Sequence, residues 1–323
     1  MPVYSLKKIK WKDNFFNILC QNENGSCPLL AICNILILRS QLRLPRDTNS
    51  VTDEVLYSLL VDLLNCIMSR QSSSAFQLRI SDCLEIFPQL QTGLDVNVKF
   101  SKVTGFEFTR QLEIFDVFGI KLYHGWLPDP ETDAGASLLE NLSYNQAVEK
   151  LLLLQSEDST EEEKLEGALL ELFFQSYPTQ LTPYGLLQLT IELPEEELVV
   201  FFRNNHFSVL YKMGGKLHAL VTDQGYLHQP VVWETLEDVF GRATALLDGN
   251  LVPYMEKELD VLQQKSDFKY AKELQEKEYA SETRLKNSTG VTRSTFGAPA
   301  EKAKQDVKVK NSDLSHSQLC SLV

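Results

Sequence analysis

Gln21-Asn22-Glu23-Asn24-Gly25-Ser26-Cys27-Pro28-Leu29-Leu30-Ala31-Ile32 is the stretch on which the fold turns. A polar, glycine-containing turn runs into a cysteine, then a proline, then apolar residues that continue to Leu38. That order predicts a loop delivering Cys27 to the first turn of a buried helix. Pro28 suits the first helical position, because its φ is already helical and its missing N–H would have been unpaired there. Cys27 then stands at or beside the N-cap. Free backbone N–H groups and the positive end of the helix dipole favour an anion there, so the thiol pKa is expected to fall. Gln21, six residues earlier, brings a side-chain NH2 that can donate to an oxyanion beside the backbone N–H of Cys27. A buried helix with an ordinary cysteine would show the same apolar run, so the chemistry needs a base from elsewhere in the chain.

The second informative stretch is Leu198-Val199-Val200-Phe201-Phe202-Arg203-Asn204-Asn205-His206-Phe207-Ser208-Val209-Leu210-Tyr211. Its β-branched and aromatic residues indicate buried strand, and Met213-Gly214-Gly215-Lys216 reads as a hairpin turn into Leu217 to Thr222. His206 follows an Asn-Asn break at the start of a core strand, an apt position for a general base beside a thiol. A histidine satisfied by hydrogen bonds near the core is the plainer alternative. His124, His218, His228 and His316 occupy strand, loop or tail contexts with weaker claims. The hairpin limits what could orient His206. A two-residue Gly214-Gly215 loop sets Asp223 opposite it, whereas a three-residue loop sets Thr222 there. Asp223 is the better partner by charge, and Thr222 continues the strand more naturally.

The chain of 323 residues, with 43% hydrophobic and 10% aromatic content, is long enough to bury a full core. Its longest apolar runs fall far short of the roughly 18 to 20 residues of a membrane span. The start does not read as a signal peptide, so the expected location is cytosol or nucleus. Six cysteines without a CxxC pair predict reduced thiols, with no metal site and no disulfide framework. A net charge of −13 argues against nucleic acid and favours a partner with a basic face.

Between the two stretches, Val3 to Ile9 suits a strand, and Thr52 caps a helix through Met68 with leucines at helical spacing. Asp95 to Phe100 and Ile120 to Leu127 read as strands around a Phe108 to Phe118 helix closed by Gly119. Ser143 with Gln146, and Thr160 with Glu163, form capping-box patterns opening two helices. Pro183 opens another.

Gln21 to Ile32 and Phe201 to Ser208, taken together, resemble the signature segments of the MINDY family of cysteine deubiquitinases. So do Tyr123-His124-Gly125-Trp126-Leu127, Leu142-Ser143-Tyr144-Asn145-Gln146, Gln180-Leu181-Thr182 and Val221-Thr222-Asp223-Gln224-Gly225. The likeness covers roughly residues 6 to 245. It implies an α/β (α+β), distantly papain-like fold, helix-rich with a central, mostly antiparallel sheet. It also implies hydrolysis of isopeptide bonds in polyubiquitin, with preference for lysine-48 linkages, trimming from the distal end and no cofactor. Carried over residue by residue, Cys27 is the nucleophile, His206 the base, Gln21 the oxyanion donor and Thr222 the third member, with Asp223 second. Ser26 departs from the family's Pro, which loosens the approach to Cys27. Two competing readings are a non-catalytic ubiquitin-binding scaffold and a papain-like hydrolase or acyltransferase acting on another amide.

Residues 1–254 therefore form the expected catalytic domain of a monomer. A charged, helix-prone segment follows at 255–286 and a tail of disordered composition at 287–323. Within that segment Phe268, Ala271 and Leu274 share a face resembling an inverted ubiquitin-interacting motif. The ending Cys320-Ser321-Leu322-Val323 fits a prenylation box, which predicts reversible membrane association through Cys320.

Overall fold

A computed structural model of the chain describes residues 2–21, 27–70, 74–91, 93–154, 159–240 and 245–254. The tail features at Phe268, Ala271, Leu274 and Cys320 lie outside the described residues.

The chain opens as an antiparallel pair, β1 (Val3–Trp11) and β2 (Asn14–Leu19). Lys12 and Asp13 turn it with φ of 46° and 63°, the left-handed geometry that a two-residue hairpin loop demands. A short strand, β3 (Ser50–Thr52), pairs on the other side of β1. The helix foreseen after the cysteine loop is α1 (Cys27–Leu38), and every residue from Pro28 to Leu38 is buried. Such a helix, apolar on all sides, must be enclosed by other elements. Inside it, Asn34 is fully buried, its Oδ1 accepting from the N–H of Leu19 at 2.8 Å and its Nδ2 donating to the carbonyl of Leu19 at 3.0 Å. Two backbone groups at the end of β2 thus find their partners on the helix.

α2 (Asp53–Arg70) starts as expected after Thr52, whose Oγ1 accepts from the N–H of Val55, and it buries Leu56, Leu60 and Leu64 on one face. α3 (Ser74–Ile86) follows. The Asp95–Phe100 segment, expected as a strand, makes only the isolated bridges Val98–Phe106 and Lys99–Ser143. Its backbone bonds go to loops rather than to a neighbouring strand, as from the Lys99 N–H to the Gly105 carbonyl at 2.9 Å, and the Asn97 side chain adds others, donating to Ser143 Oγ at 3.1 Å and to Glu107 and accepting from the N–H of Asn145. The expected Phe108–Phe118 helix is a 3-10 turn at Arg110–Leu112 running into the short α4 (Glu113–Val117), closed by Gly119 at φ 61°. The following strand shrinks to β4 (Leu122–Tyr123). After α5 (Ala136–Leu139), both capping boxes open their helices, α6 (Tyr144–Leu154) and α7 (Glu161–Ser176). Pro183 opens α8 (Pro183–Glu192).

The main sheet runs β4-β5-β6-β7-β8-β9, completed by β5 (Leu198–Arg203), β6 (His206–Met213), β7 (Lys216–Leu220), β8 (Trp233–Thr235) and β9 (Leu246–Leu247). The β4–β5 pair is parallel and the others are antiparallel, so the sheet is mixed and mostly antiparallel, within an α/β fold as the sequence reading expects. Alternate residues of β5 explain its unbroken apolar run. Val200 and Phe202 join the core that contains α1, while Val199 and Phe201 join a second core with Leu181, Leu189 and Leu193 from around α8. Both faces of the strand are covered, which removes the usual polar alternation.

Candidate active site

Two tight hairpins frame the site. The β5–β6 turn is Asn204-Asn205, with φ of 50° and 54°, and His206 starts the returning strand opposite Arg203. Asparagine tolerates the left-handed region better than other non-glycine residues, which accounts for the Asn-Asn pair. The tip is braced from outside. Gln180 Oε1 accepts from the N–H of Asn204 at 2.9 Å, and the Arg203 guanidinium donates to the carbonyls of Thr179 and Val239, both at 2.7 Å. Sequence reasoning assigned no role to Gln180 or Arg203. Their signal was the Gln180-Leu181-Thr182 segment, matched without a reason. Thr182 caps α8 and ties to Gly125 and Leu127, so that segment docks the helix, the strand end and the hairpin together.

The β6–β7 turn is the two-residue Gly214-Gly215 loop, with φ of 61° and 74°. The observed pairs, Leu210 with Ala219 through Met213 with Lys216, are those of the two-residue alternative. Continued past the end of β7, that register sets Asp223 opposite His206. The Asp223 Oδ1, however, accepts from the N–H of Gly225 at 2.6 Å as the cap of a 3-10 turn. Thr222 lines the same cleft as His206, and its carbonyl accepts from the N–H of Gln21 at 2.7 Å. No described residue hydrogen-bonds the His206 ring in this state, so neither Thr222 nor Asp223 is engaged with it.

Cys27 opens α1, which packs on β6. The backbone N–H of Phe207, the residue after His206, lies close enough to its sulfur to draw the thiol pKa down, as does the N–H of Cys27 itself. The thiol therefore lies at the end of the sheet where β6 begins with His206. Gln21 leaves β2 to form a parallel bridge with Asp223 and lines the cleft beside His206. Cys27, His206, Gln21, Thr222 and Asp223 thus converge from the beginning and the end of the described chain.

The electrostatics differ from the sequence expectation. Burial pushes the Cys27 thiol above its ordinary range, and the two N–H donors offset this only in part. Burial likewise pushes the His206 imidazole down. Desolvation disfavours the charged form of each group, and it outweighs the helix terminus. Both shifts favour the neutral forms of the pair. Among the described residues no cluster of His, Cys, Asp or Glu could hold a metal, and Cys20, Cys27, Cys33, Cys66 and Cys83 are free thiols. No helix among them is long and apolar enough to cross a membrane.

The cleft beside His206 has a volume of about 760 Å³ and runs along the sheet past Ser208 and Ala219 to Glu234 and Leu236. It is large enough for an extended peptide segment rather than a single side chain.

Comparison with known proteins adds a family. A family model described as MINDY deubiquitinase matches residues 2–251. The chain is 44% identical over 257 residues to ubiquitin carboxyl-terminal hydrolase MINDY-1 of Danio rerio, an alignment covering 77% of this chain and 48% of that protein. It is 44% identical over 253 residues to ubiquitin carboxyl-terminal hydrolase MINDY-2 of Homo sapiens, covering 77% and 40%. Human MINDY-1 is 42% identical over 243 residues, covering 74% and 52%. The chain spans about half the length of the curated relatives it matches.

Proposed function

The chain belongs to the MINDY deubiquitinase family, and from that membership we propose that it is a thiol-dependent isopeptidase acting on polyubiquitin, with preference for lysine-48 linkages and trimming from the distal end. The observation that carries the reading is the contact of the Cys27 sulfur with the N–H of Phe207, directly beside His206, with Gln21 held at the same sheet end.

In the proposed reaction His206 takes the Cys27 proton as the sulfur attacks the carbonyl carbon of ubiquitin's C-terminal glycine. The Gln21 amide and the Cys27 N–H receive the oxyanion of the tetrahedral intermediate. The C–N bond then breaks, and the lysine amine leaves with the proton held by His206. Water adds to the thioester as His206 accepts its proton, the C–S bond breaks, and the proton returns to sulfur. Because desolvation favours the neutral form of each group, the proposed proton transfer accompanies attack.

Thr222 is the proposed orienter of His206, since the Asp223 carboxylate is already occupied by Gly225. Replacement of Thr222 by Val should therefore lower kcat more than Asp223→Asn. The tail adds a ubiquitin-binding face at Phe268, Ala271 and Leu274 and a prenyl acceptor at Cys320, and the protein works in the cytosol or nucleus.

The deciding experiment combines a ubiquitin C-terminal electrophile with a panel of linkage-defined chains. Labelling that Cys27→Ala abolishes, with cleavage concentrated on lysine-48 chains, is the expected result. Labelling without any chain cleavage would favour action on another amide, and binding without labelling would favour a scaffold.

A further inference from the structure

The face of the main sheet that carries His206 also carries an acidic side chain to which the mechanism gives no task. Strand register aligns Val199, Leu210, Ala219, Glu234 and Leu246 in one row across five strands. Leu210 lies four residues along β6 from His206, so the row and the imidazole share a face, and both Glu234 and His206 line the cleft. Glu234 is half-buried, and its carboxylate makes no hydrogen bond or ion pair with a described residue.

The other charged groups lining the cleft are committed. Arg203 donates to Thr179 and Val239, and Asp223 accepts from Gly225. Two apolar side chains stand beside Glu234 in a cleft of otherwise mixed lining: Ala219, its neighbour across the β7–β8 pair, and Leu236, two residues further along the chain. The small Ala219 side chain leaves room above the row that a larger residue would fill. A half-buried carboxylate flanked by Ala219 and Leu236 suits a side chain with an aliphatic stem and a cationic tip. Burial also raises the Glu234 pKa, as an unpaired carboxylate requires, and an arriving cation would reverse that.

We propose that Glu234 is a specificity-determining residue whose carboxylate pairs with the ammonium or guanidinium of a basic side chain on the substrate, the stem of that side chain lying against Ala219 and Leu236. The identity of that substrate as ubiquitin rests on the function proposed above. Four residues along β6 and two strands across set Glu234 roughly 16 Å from His206 between backbones. An extended peptide covers that distance in about five residues, so the basic residue is remote from the bond that breaks. It belongs either to the C-terminal tail of the ubiquitin being released or to the ubiquitin that supplies the amine.

Two substrates separate the sources: ubiquitin bearing a fluorogenic C-terminal amide, which lacks the amine-side ubiquitin, and lysine-48-linked diubiquitin. Glu234→Gln should raise KM about tenfold with kcat within about twofold, and Glu234→Asp should keep part of the affinity. Added salt should raise KM for the parent protein more than for Glu234→Gln, a difference that a merely structural role would not produce. A loss on both substrates assigns the cation to the tail, and a loss on diubiquitin alone assigns it to the amine-side ubiquitin. Unchanged KM on both overturns the proposal while leaving the deubiquitinase reading intact. Diubiquitin affinity measured for Cys27→Ala, with and without Glu234→Gln, frees the inference from turnover. If the parent cleaves nothing but that affinity still falls about tenfold, the contact stands and the hydrolase reading falls. If neither affinity nor KM depends on Glu234, the contact is refuted.

Discussion

Replacing Asn34 by Leu preserves the volume of the side chain and removes both of its hydrogen bonds. The amide is fully buried in α1 and serves the N–H and the carbonyl of Leu19, at 2.8 and 3.0 Å. After the substitution both backbone groups are left inside the core without partners. Each orphaned group costs about 1–3 kcal/mol, so the pair should cost about 2–6 kcal/mol. For a domain of this size that corresponds to a fall in Tm of roughly 5–20 °C. Urea unfolding followed by circular dichroism would read the change as a lower midpoint at constant slope. The functional consequence comes from position. Leu19 is followed by Cys20, whose N–H is held by the Ser5 carbonyl, and by Gln21, which lines the cleft. Loosening the end of β2 should therefore reduce kcat, with KM less affected, at temperatures where the variant is still folded. Asn34→Asp sharpens the test, because a carboxylate cannot donate to the Leu19 carbonyl until it is protonated, so its stability deficit should shrink as pH falls. A loss below about 1 kcal/mol in Asn34→Leu would refute the claim that this amide fastens the helix to the strand.

Gln21→Ala should lower kcat by about 10²–10³ through loss of an oxyanion donor while leaving ubiquitin affinity in place, read from steady-state kinetics against affinity in a Cys27→Ala background. Alkylation of Cys27 by iodoacetamide in the free protein should rise only above the ordinary thiol range, since burial raises its pKa. The acid limb of kcat/KM should lie below pH 6.5, since burial lowers that of His206. A reactive thiolate already present at pH 6 would contradict the first, and an acid limb above pH 6.5 the second. His124 is fully buried, its Nδ1 accepting from the N–H of Trp126, and burial pushes it down to about 4 from 6.5. The unfolded chain therefore takes up a proton that the folded one refuses, and up to about 3 kcal/mol of stability should be lost as pH falls from 6.5 toward 4. Urea midpoints across that range should flatten in His124→Gln.

Much of this arrangement is legible in the sequence where a single local rule governs it. Pro28 marks the start of α1, and the Ser143 and Thr160 boxes open helices where expected, whereas Met213-Gly214-Gly215 allows two registers, of which the structure adopts the two-residue turn. The segment around Asn97 fails for the opposite reason. Its alternating valines imitate a strand, but Asn97, Ser143, Asn145 and Glu107 satisfy one another through side chains, a pairing between distant positions that no window of sequence contains. The strands β8 and β9 are too short to carry a pattern. The site residues are legible as types. Their protonation is not, because desolvation of Cys27 and His206 depends on how tightly α1 and β6 are enclosed, and that is a property of the packed core.

The bond from the Gln21 N–H to the Thr222 carbonyl joins the two ends of the described chain at the site itself. During biosynthesis the proposed nucleophile Cys27 and oxyanion donor Gln21 leave the ribosome early, yet they have no partner until the sheet carrying the proposed base, His206, has also emerged. A nascent or prematurely terminated polypeptide therefore contains a cysteine without a catalytic apparatus. Two fragments divided in a surface loop between these segments should regain turnover only on reassociation, which makes this junction a natural point for complementation experiments.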